Sequence, residues 1–132
     1  MHQKEIEIRW RDVDAYRHVN NAVYLTYLEE VRDEWLEGVF GGDPDSLWDF
    51  VLARVAIDYR SELTQEDDIV VARCRLEQIG TSSFRTKEEL LALDGRLAAE
   101  AEAVTVARNR AAGGSRALSA RELGALEAAL ED

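Results

Sequence analysis

Cysteine, proline and histidine are almost missing from this chain, and each shortage closes off a class of protein. One cysteine, Cys74, in 132 residues leaves no disulfide to form within this sequence, so a hydrophobic core has to hold the fold. Cys74 sits in the alternating run Ile69 to Leu76, where a small buried residue is expected rather than a nucleophile. His2 and His18 are the two histidines, too few for a histidine-rich metal centre. One proline, Pro44, argues against a proline-rich linker. No apolar run approaches membrane-spanning length, and Met1-His2-Gln3-Lys4-Glu5 has no apolar stretch, so no membrane partner and a cytoplasmic location are expected. Basic residues are scarce as well: 16 against 27 acidic ones, for a net charge of -11. That balance argues against nucleic acid as a partner of the surface as a whole. An anionic ligand would need a local basic patch against an adverse field.

An apolar share of 46% supports one folded domain over residues 1–132 with one sizeable core. Glu5-Ile6-Glu7-Ile8-Arg9-Trp10 alternates charged and apolar residues, predicting a strand whose dry face carries Ile6, Ile8 and Trp10. From Asn21 the period changes. Tyr24, Tyr27, Leu28, Val31 and Trp35 recur at helical spacing, with Glu29, Glu30, Arg32, Asp33 and Glu34 filling the other face, predicting a long amphipathic helix. Asn20 is its expected N-cap; Gly38 and then Gly41-Gly42-Asp43-Pro44 are its expected end. After Trp48 the pattern returns to period two. Val51, Ala53, Val55, Ile57 and Tyr59 are expected on one strand face, and Val70, Ala72, Cys74 and Leu76 on one face of the next strand. Gly80-Thr81-Ser82-Ser83 reads as a turn, Phe84 to Leu93 as a third strand, and Asp94-Gly95 as a hairpin into Leu97 to Arg108. The start of that last segment, Leu97-Ala98-Ala99-Glu100-Ala101-Glu102-Ala103, has helical propensity. The hairpin before it and Val104-Thr105-Val106 after it favour a strand, which is the expectation adopted. Ser119 and Glu122 form a capping box, and Leu123, Leu126 and Leu130 predict a short C-terminal helix from about residue 119. The order of elements implies an α+β architecture, an antiparallel sheet curled around one long helix.

Between the first strand and the long helix stands Asp12-Val13-Asp14-Ala15-Tyr16-Arg17-His18-Val19-Asn20-Asn21. A carboxylate beside a helix N-terminus can activate water or attack a carbonyl, while free backbone N–H groups stabilise the oxyanion that forms. Other readings compete at this point. Aspartates before a helix often make turns and caps. Asp12, Asp14 and His18 are also the ligand types for a divalent ion, though no second ligand cluster accompanies them. A Ser-His-Asp hydrolase using Ser82 or Ser83 would lack a Gly-x-Ser-x-Gly elbow.

Asp12-Val13-Asp14, His18-Val19-Asn20-Asn21, Tyr24, Tyr27-Leu28-Glu29 and Arg32 resemble the signature of hotdog-fold acyl-CoA thioesterases of the 4-hydroxybenzoyl-CoA thioesterase type. The resemblance runs on through Ile57-Asp58-Tyr59, Ile79-Gly80-Thr81-Ser82-Ser83 and Asp94-Gly95, covering about Ile6 to Ser115. It implies a hotdog fold and hydrolysis of an acyl-CoA to a free acid and coenzyme A, with no metal and no cofactor beyond the coenzyme A of the substrate. It implies Asp14 as nucleophile or general base and the backbone N–H groups near Asn20 and Asn21, Asn21 foremost, as the oxyanion site. Asp12 then braces the loop, and His18 orients the loop or contacts substrate. The resemblance also implies a homodimer or homotetramer with sites at subunit interfaces. Arg17 departs from the family, which often carries glycine before the histidine. It can narrow the pocket or meet an anionic group of the ligand. Arg85 and Lys87, on the strand after Ser82 and Ser83, are candidates for the positive charge that coenzyme A phosphates require, with ordinary solvent-facing charge as the alternative. Trp35, Tyr24 and Tyr27 are expected in the core rather than in an acyl pocket. The rival class is a non-catalytic hotdog module that binds acyl-CoA or acyl carrier protein.

Overall fold

A computed structural model describes residues 1–41 and 49–130. Strand β1 (His2–Glu7) leads through a 3-10 turn (Trp10–Asp12) to helix α1 (Asn21–Val39); strands β2 (Phe50–Tyr59), β3 (Ile69–Ile79), β4 (Ser83–Ala92) and β5 (Leu97–Ala107) follow, and helix α2 (Ala120–Leu130) closes the order. The strands form one antiparallel sheet in the order β1-β3-β4-β5-β2. This is the α+β, hotdog arrangement expected from the sequence, with α1 packed on the sheet's inner face.

Alternation decides which strand residues face the helix. Val70, Ala72, Cys74 and Leu76 of β3 are buried, as are Phe84 and Leu90 of β4, against Tyr24, Tyr27, Leu28, Val31 and Trp35 of α1. In β5 the alanines Ala99, Ala101, Ala103 and Ala107 are buried. Pairing on both edges, to β4 and to β2, outweighs alanine's helical propensity here. Gly95 takes φ +90° in the Asp94-Gly95 turn, a conformation that suits glycine and sets the β4–β5 register.

Four expectations are corrected. Arg32 is not on the open polar face of α1 but buried, at 6% exposure, against the sheet. Trp10 is not on a dry strand face: β1 ends at Glu7, Trp10 enters the 3-10 turn and is 84% exposed. Alternation holds for Ile6 and Ile8, which are buried, and breaks where the backbone tightens. In β2 a bulge falls between Leu52 and Arg54. The extra residue reverses the facing, so Val51 does not share the inner face with Val55 and Ile57. Gly38 lies inside α1, which ends at Val39 with Phe40 as its C-cap. Gly42, Asp43, Pro44 and Trp48 lie outside the described residues.

One ion pair crosses the core. Arg32 of α1 donates from Nε to Glu88 Oε2 at 2.8 Å and from a terminal nitrogen to Oε1 at 2.9 Å. Thr86 Oγ1 donates to Glu88 Oε2 at 2.7 Å. Glu88 is fully buried and Arg32 nearly so. Burial acts to lower the Arg32 pKa, and the Glu88 carboxylate outweighs it, for a net rise. At the C-terminal end the Ser119–Glu122 box forms: Glu122 N donates to Ser119 Oγ at 3.1 Å and Ser119 N to Glu122 Oε1 at 2.9 Å. Arg116 adds a bidentate pair to the same carboxylate.

Candidate functional site

The loop from Asp12 to Asn20 is fixed by its own backbone. Asp14 N donates to His18 O at 3.0 Å and Arg17 N to Asp14 O at 3.0 Å, closing a tight turn. Val13 and Val19 bridge across it. Arg17 takes φ 67°, so it occupies the left-handed backbone position where the resembled family often carries glycine. Val19 N donates to Leu63 O at 2.7 Å and Asn20 N to Asp12 O at 2.9 Å, tying the loop to the segment after β2.

The two aspartates have different surroundings. Asp12 is buried; its Oδ2 accepts from Tyr27 Oη at 2.7 Å and from Arg9 N at 2.9 Å. Burial and the neighbouring Asp12 push the Tyr27 phenol well up, so it stays a donor. Asp14 is half-buried. Its Oδ1 accepts from Tyr16 N at 2.9 Å and its Oδ2 lies 3.4 Å from Asn20 Nδ2. The carboxylate is oriented by light contacts and keeps access to solvent.

Helix α1 starts immediately beyond. Asn20 is the N-cap, its Oδ1 accepting from Ala22 N at 2.8 Å, and Val23 N donates to Asn20 O. Among the described residues no acceptor takes the Asn21 N–H. The first turn of α1 carries no acidic side chain, so the positive end of the helix dipole is left for a ligand. Asn20 and Asn21 are both exposed. Tyr59 Oη donates to Asn21 O at 2.9 Å. Tyr24 Oη donates to Ser61 O at 3.1 Å and accepts from Leu63 N at 2.9 Å, while burial, the largest influence, raises its pKa. Tyr24 and Tyr59 rings meet edge-on with centroids 5.1 Å apart. These phenols brace the helix start from the end of β2. Alternation identified Tyr59 as a strand residue; its part in holding Asn21 depends on a contact across 38 positions that no local pattern signals.

His18 Nε2 lies 3.1 Å from Glu62 Oε2. The side chains of Asp12, Asp14 and His18 thus face different partners, and among the described residues no group of three or more His, Cys, Asp or Glu side chains gathers as metal ligands. Two hollows flank the His18–Glu62 pair. One, about 270 Å³, is lined by His18, Asn21, Tyr24, Tyr59 and Ser61. The other, about 560 Å³, is lined by Trp10, Tyr16, Arg17 and His18 with Thr64 and Gln65. Ser82, Ser83 and Arg85 lie elsewhere. They open β4 at Ser83, whereas the Asp14 loop adjoins the sheet's other end, a strand length of about 30 Å away. Within one chain they do not join the Asp14 site. Arg85 Nε lies 3.6 Å from Glu102 Oε1.

Residues 8–122 match the thioesterase-like superfamily. The chain is 33% identical over 107 residues to the long-chain acyl-CoA thioesterase FadM of Escherichia coli K12, a match covering 75% of this chain and 76% of that protein. A thioesterase from Thermus thermophilus, solved with coenzyme A and zinc, superposes with a TM-score of 0.87 at 28% identity, covering 99% of this chain and 95% of that one. A Bacillus stearothermophilus protein at 22% identity shares the fold at a TM-score of 0.88, covering 98% of this chain and 96% of that one.

Proposed function

The chain belongs to the thioesterase-like superfamily and is a thioester hydrolase, and on that premise we propose that it cleaves acyl-CoA at Asp14. The observation that carries the site assignment is the pairing of a solvent-accessible Asp14 carboxylate with an open Asn21 N–H at the start of α1. The thioester oxygen is seated at the Asn21 N–H. In the nucleophilic route Asp14 attacks the thioester carbonyl, the carbon–sulfur bond breaks, and coenzyme A leaves as its thiolate. Water then hydrolyses the mixed anhydride to the free acid and restores the carboxylate. In the general-base route Asp14 takes a proton from water as that water attacks directly. One preorganised N–H donor supplies about 3 kcal/mol to the transition state in either route.

Asp12 and Tyr27 hold the loop, and Asn20 holds the helix start and touches Asp14. His18, paired with Glu62 between the two hollows, orients the loop. Arg17 meets an anionic group of the ligand. The curated relative acts on long-chain acyl-CoA, which favours an aliphatic acyl group over the aryl group of the 4-hydroxybenzoyl type. Coenzyme A enters as part of the substrate; the T. thermophilus neighbour's coenzyme A complex supports that carrier.

The test is thiol release from a panel of acyl-CoA esters of increasing chain length with 4-hydroxybenzoyl-CoA included. Asp14→Asn and Asp14→Ala are expected to lose at least about a hundredfold in kcat on the best substrate, the lower range for removing an acid–base group. Turnover by Asp14→Ala equal to that of the parent would remove Asp14 from the chemistry. Tight acyl-CoA binding without thiol release from any ester would favour a binding module.

A further inference from the structure

The two hollows beside the Asp14 loop differ in chemistry, and the Asp14 carboxylate stands between them. Its Oδ1 accepts from Tyr16 N at 2.9 Å, and Tyr16 walls the larger hollow of about 560 Å³. Its Oδ2 lies 3.4 Å from Asn20 Nδ2, and the next residue, Asn21, walls the smaller hollow of about 270 Å³. His18, whose carbonyl accepts from Asp14 N, lines both. A thioester carbon held at this carboxylate carries two arms, the acyl chain and the coenzyme. The two arms leave it toward opposite hollows.

The larger hollow is the apolar one, with Trp10, Val13 and Tyr16 among its walls. Trp10 is 84% exposed and Tyr16 81%. Two aromatic side chains thus stay in water within four residues of Asp14, and covering them with an apolar ligand is favourable. Their exposure has a local cause. Trp10 leaves β1 in the 3-10 turn, and Tyr16 sits inside the tight turn closed by Arg17 N on Asp14 O. The charged walls Arg17, Glu62 and Glu66 are exposed. Such side chains lay their apolar stems along a surface and keep their charged ends in water, and their mixed signs do not select an anion. The volume lies inside the roughly 300–1,000 Å³ range of small-molecule sites. The smaller hollow is walled by Asn21, Arg60 and Ser61 with the phenols of Tyr24 and Tyr59. That more polar lining suits the amide-bearing arm of coenzyme A.

We propose that the Trp10–Tyr16 hollow is the acyl subsite for a straight aliphatic chain, and that Trp10 and Tyr16 set the chain-length preference. The chain runs from the carbonyl at Asp14 past Tyr16 onto the Trp10 indole, while the coenzyme arm crosses the Asn21 side. The placement rests on the Asp14 reading and holds for either route open to that carboxylate.

The test separates binding from chemistry with S-alkyl-CoA thioethers from ethyl to octyl, which have no carbonyl to hydrolyse. They are titrated into the full chain by calorimetry, below micelle formation. Affinity is expected to rise about two- to fourfold for each added methylene, the range from half to full burial. The Trp10 indole N–H signal is expected to shift with the octyl thioether more than with the ethyl one. The double change Trp10→Ala with Tyr16→Ala, at exposed positions, is expected to cut the octyl-to-ethyl affinity ratio at least about tenfold. Trp10→Phe with Tyr16→Phe keeps both rings and is expected to restore most of that ratio. A parent-like ratio in the double alanine variant overturns the proposal, as does affinity independent of chain length in the parent. Chain-length-dependent shifts confined to Tyr24 and Tyr59 overturn it too, by placing the chain in the other hollow. So does a double alanine variant that dimerises less than the parent yet keeps the ratio, because the aromatic pair then serves assembly. Parent-like thioester turnover by Asp14→Ala overturns the Asp14 assignment alone, since the thioether series reads the subsite without hydrolysis.

Discussion

Arg17 concentrates the tension between folding and function at single-residue scale. Its φ of 67° puts an L side chain where Cβ meets backbone, at a cost of about 1–2 kcal/mol. Glycine would relieve that strain and give back about 0.5–1 kcal/mol in unfolded-chain entropy. Arg17→Gly is therefore expected to gain at most about 1 kcal/mol, read as a higher urea midpoint at unchanged slope. Arg17→Val, β-branched in the same position, is expected to lower the midpoint. If Arg17 meets an anionic part of acyl-CoA, Arg17→Gly also raises KM while kcat is kept. A lower midpoint for Arg17→Gly than for the parent would show that the side chain stabilises the turn by contacts that outweigh its strain. Asp14 and Asp12 make the complementary point. Two residues apart and chemically identical, they are separated by burial: Asp12 disappears beneath Tyr27 while Asp14 stays at the surface.

At the scale of elements, helix α1 is tied to the sheet by the Arg32–Glu88 pair as well as by its apolar stripe. Removing one partner leaves a buried charge uncompensated, so Arg32→Met is expected to cost about 3–5 kcal/mol. The double change Arg32→Met with Glu88→Leu is expected to recover most of that loss, because burying the pair had its own desolvation cost. Thermal or urea unfolding of the single and double variants reads the difference; a double variant no more stable than Arg32→Met would contradict it. Arg32 was visible in the sequence only as a charge among Glu29, Glu30, Asp33 and Glu34, and helical spacing assigned it to the wet face. Its partner lies 56 positions away, beyond the reach of any periodicity. The strands were legible where alternation ran unbroken, as from Val70 to Leu76, and β5 was legible against its alanine-rich propensity because Asp94-Gly95 announced a hairpin. They were misread at the Leu52–Arg54 bulge, where one residue shifted the phase, and at Trp10, where the strand gives way to a 3-10 turn closed by Arg9 N donating to Asp12 Oδ2 and Asp12 N to Arg9 O. The loop motif located Asp14 and the helix start, and local capping chemistry identified Asn20. The bracing by Tyr59 and the His18–Glu62 pair join distant segments, so the motif alone did not disclose them.

For the whole molecule, charge and the open sheet edge pull in opposite directions. Strand β2 ends the sheet, and its Val51, Leu52 and Tyr59 are 38%, 45% and 44% exposed. A ten-residue edge strand with exposed apolar side chains invites pairing with another chain, and a twofold axis lets the same edge serve both copies. The net charge of -11 on each chain opposes that approach through a field that salt screens within about 8 Å at 0.15 M and about 30 Å at 0.01 M. The chain is accordingly expected to form a homodimer through β2, weaker at the lower ionic strength. Sedimentation velocity across that salt range checks it. Leu52→Lys adds a cation to each copy at the edge, and like charges facing across the axis are expected to leave monomer at concentrations where the parent is dimeric. A parent that stays monomeric at the higher salt, or a Leu52→Lys variant that dimerises as well as the parent, would assign the exposed edge no role in assembly.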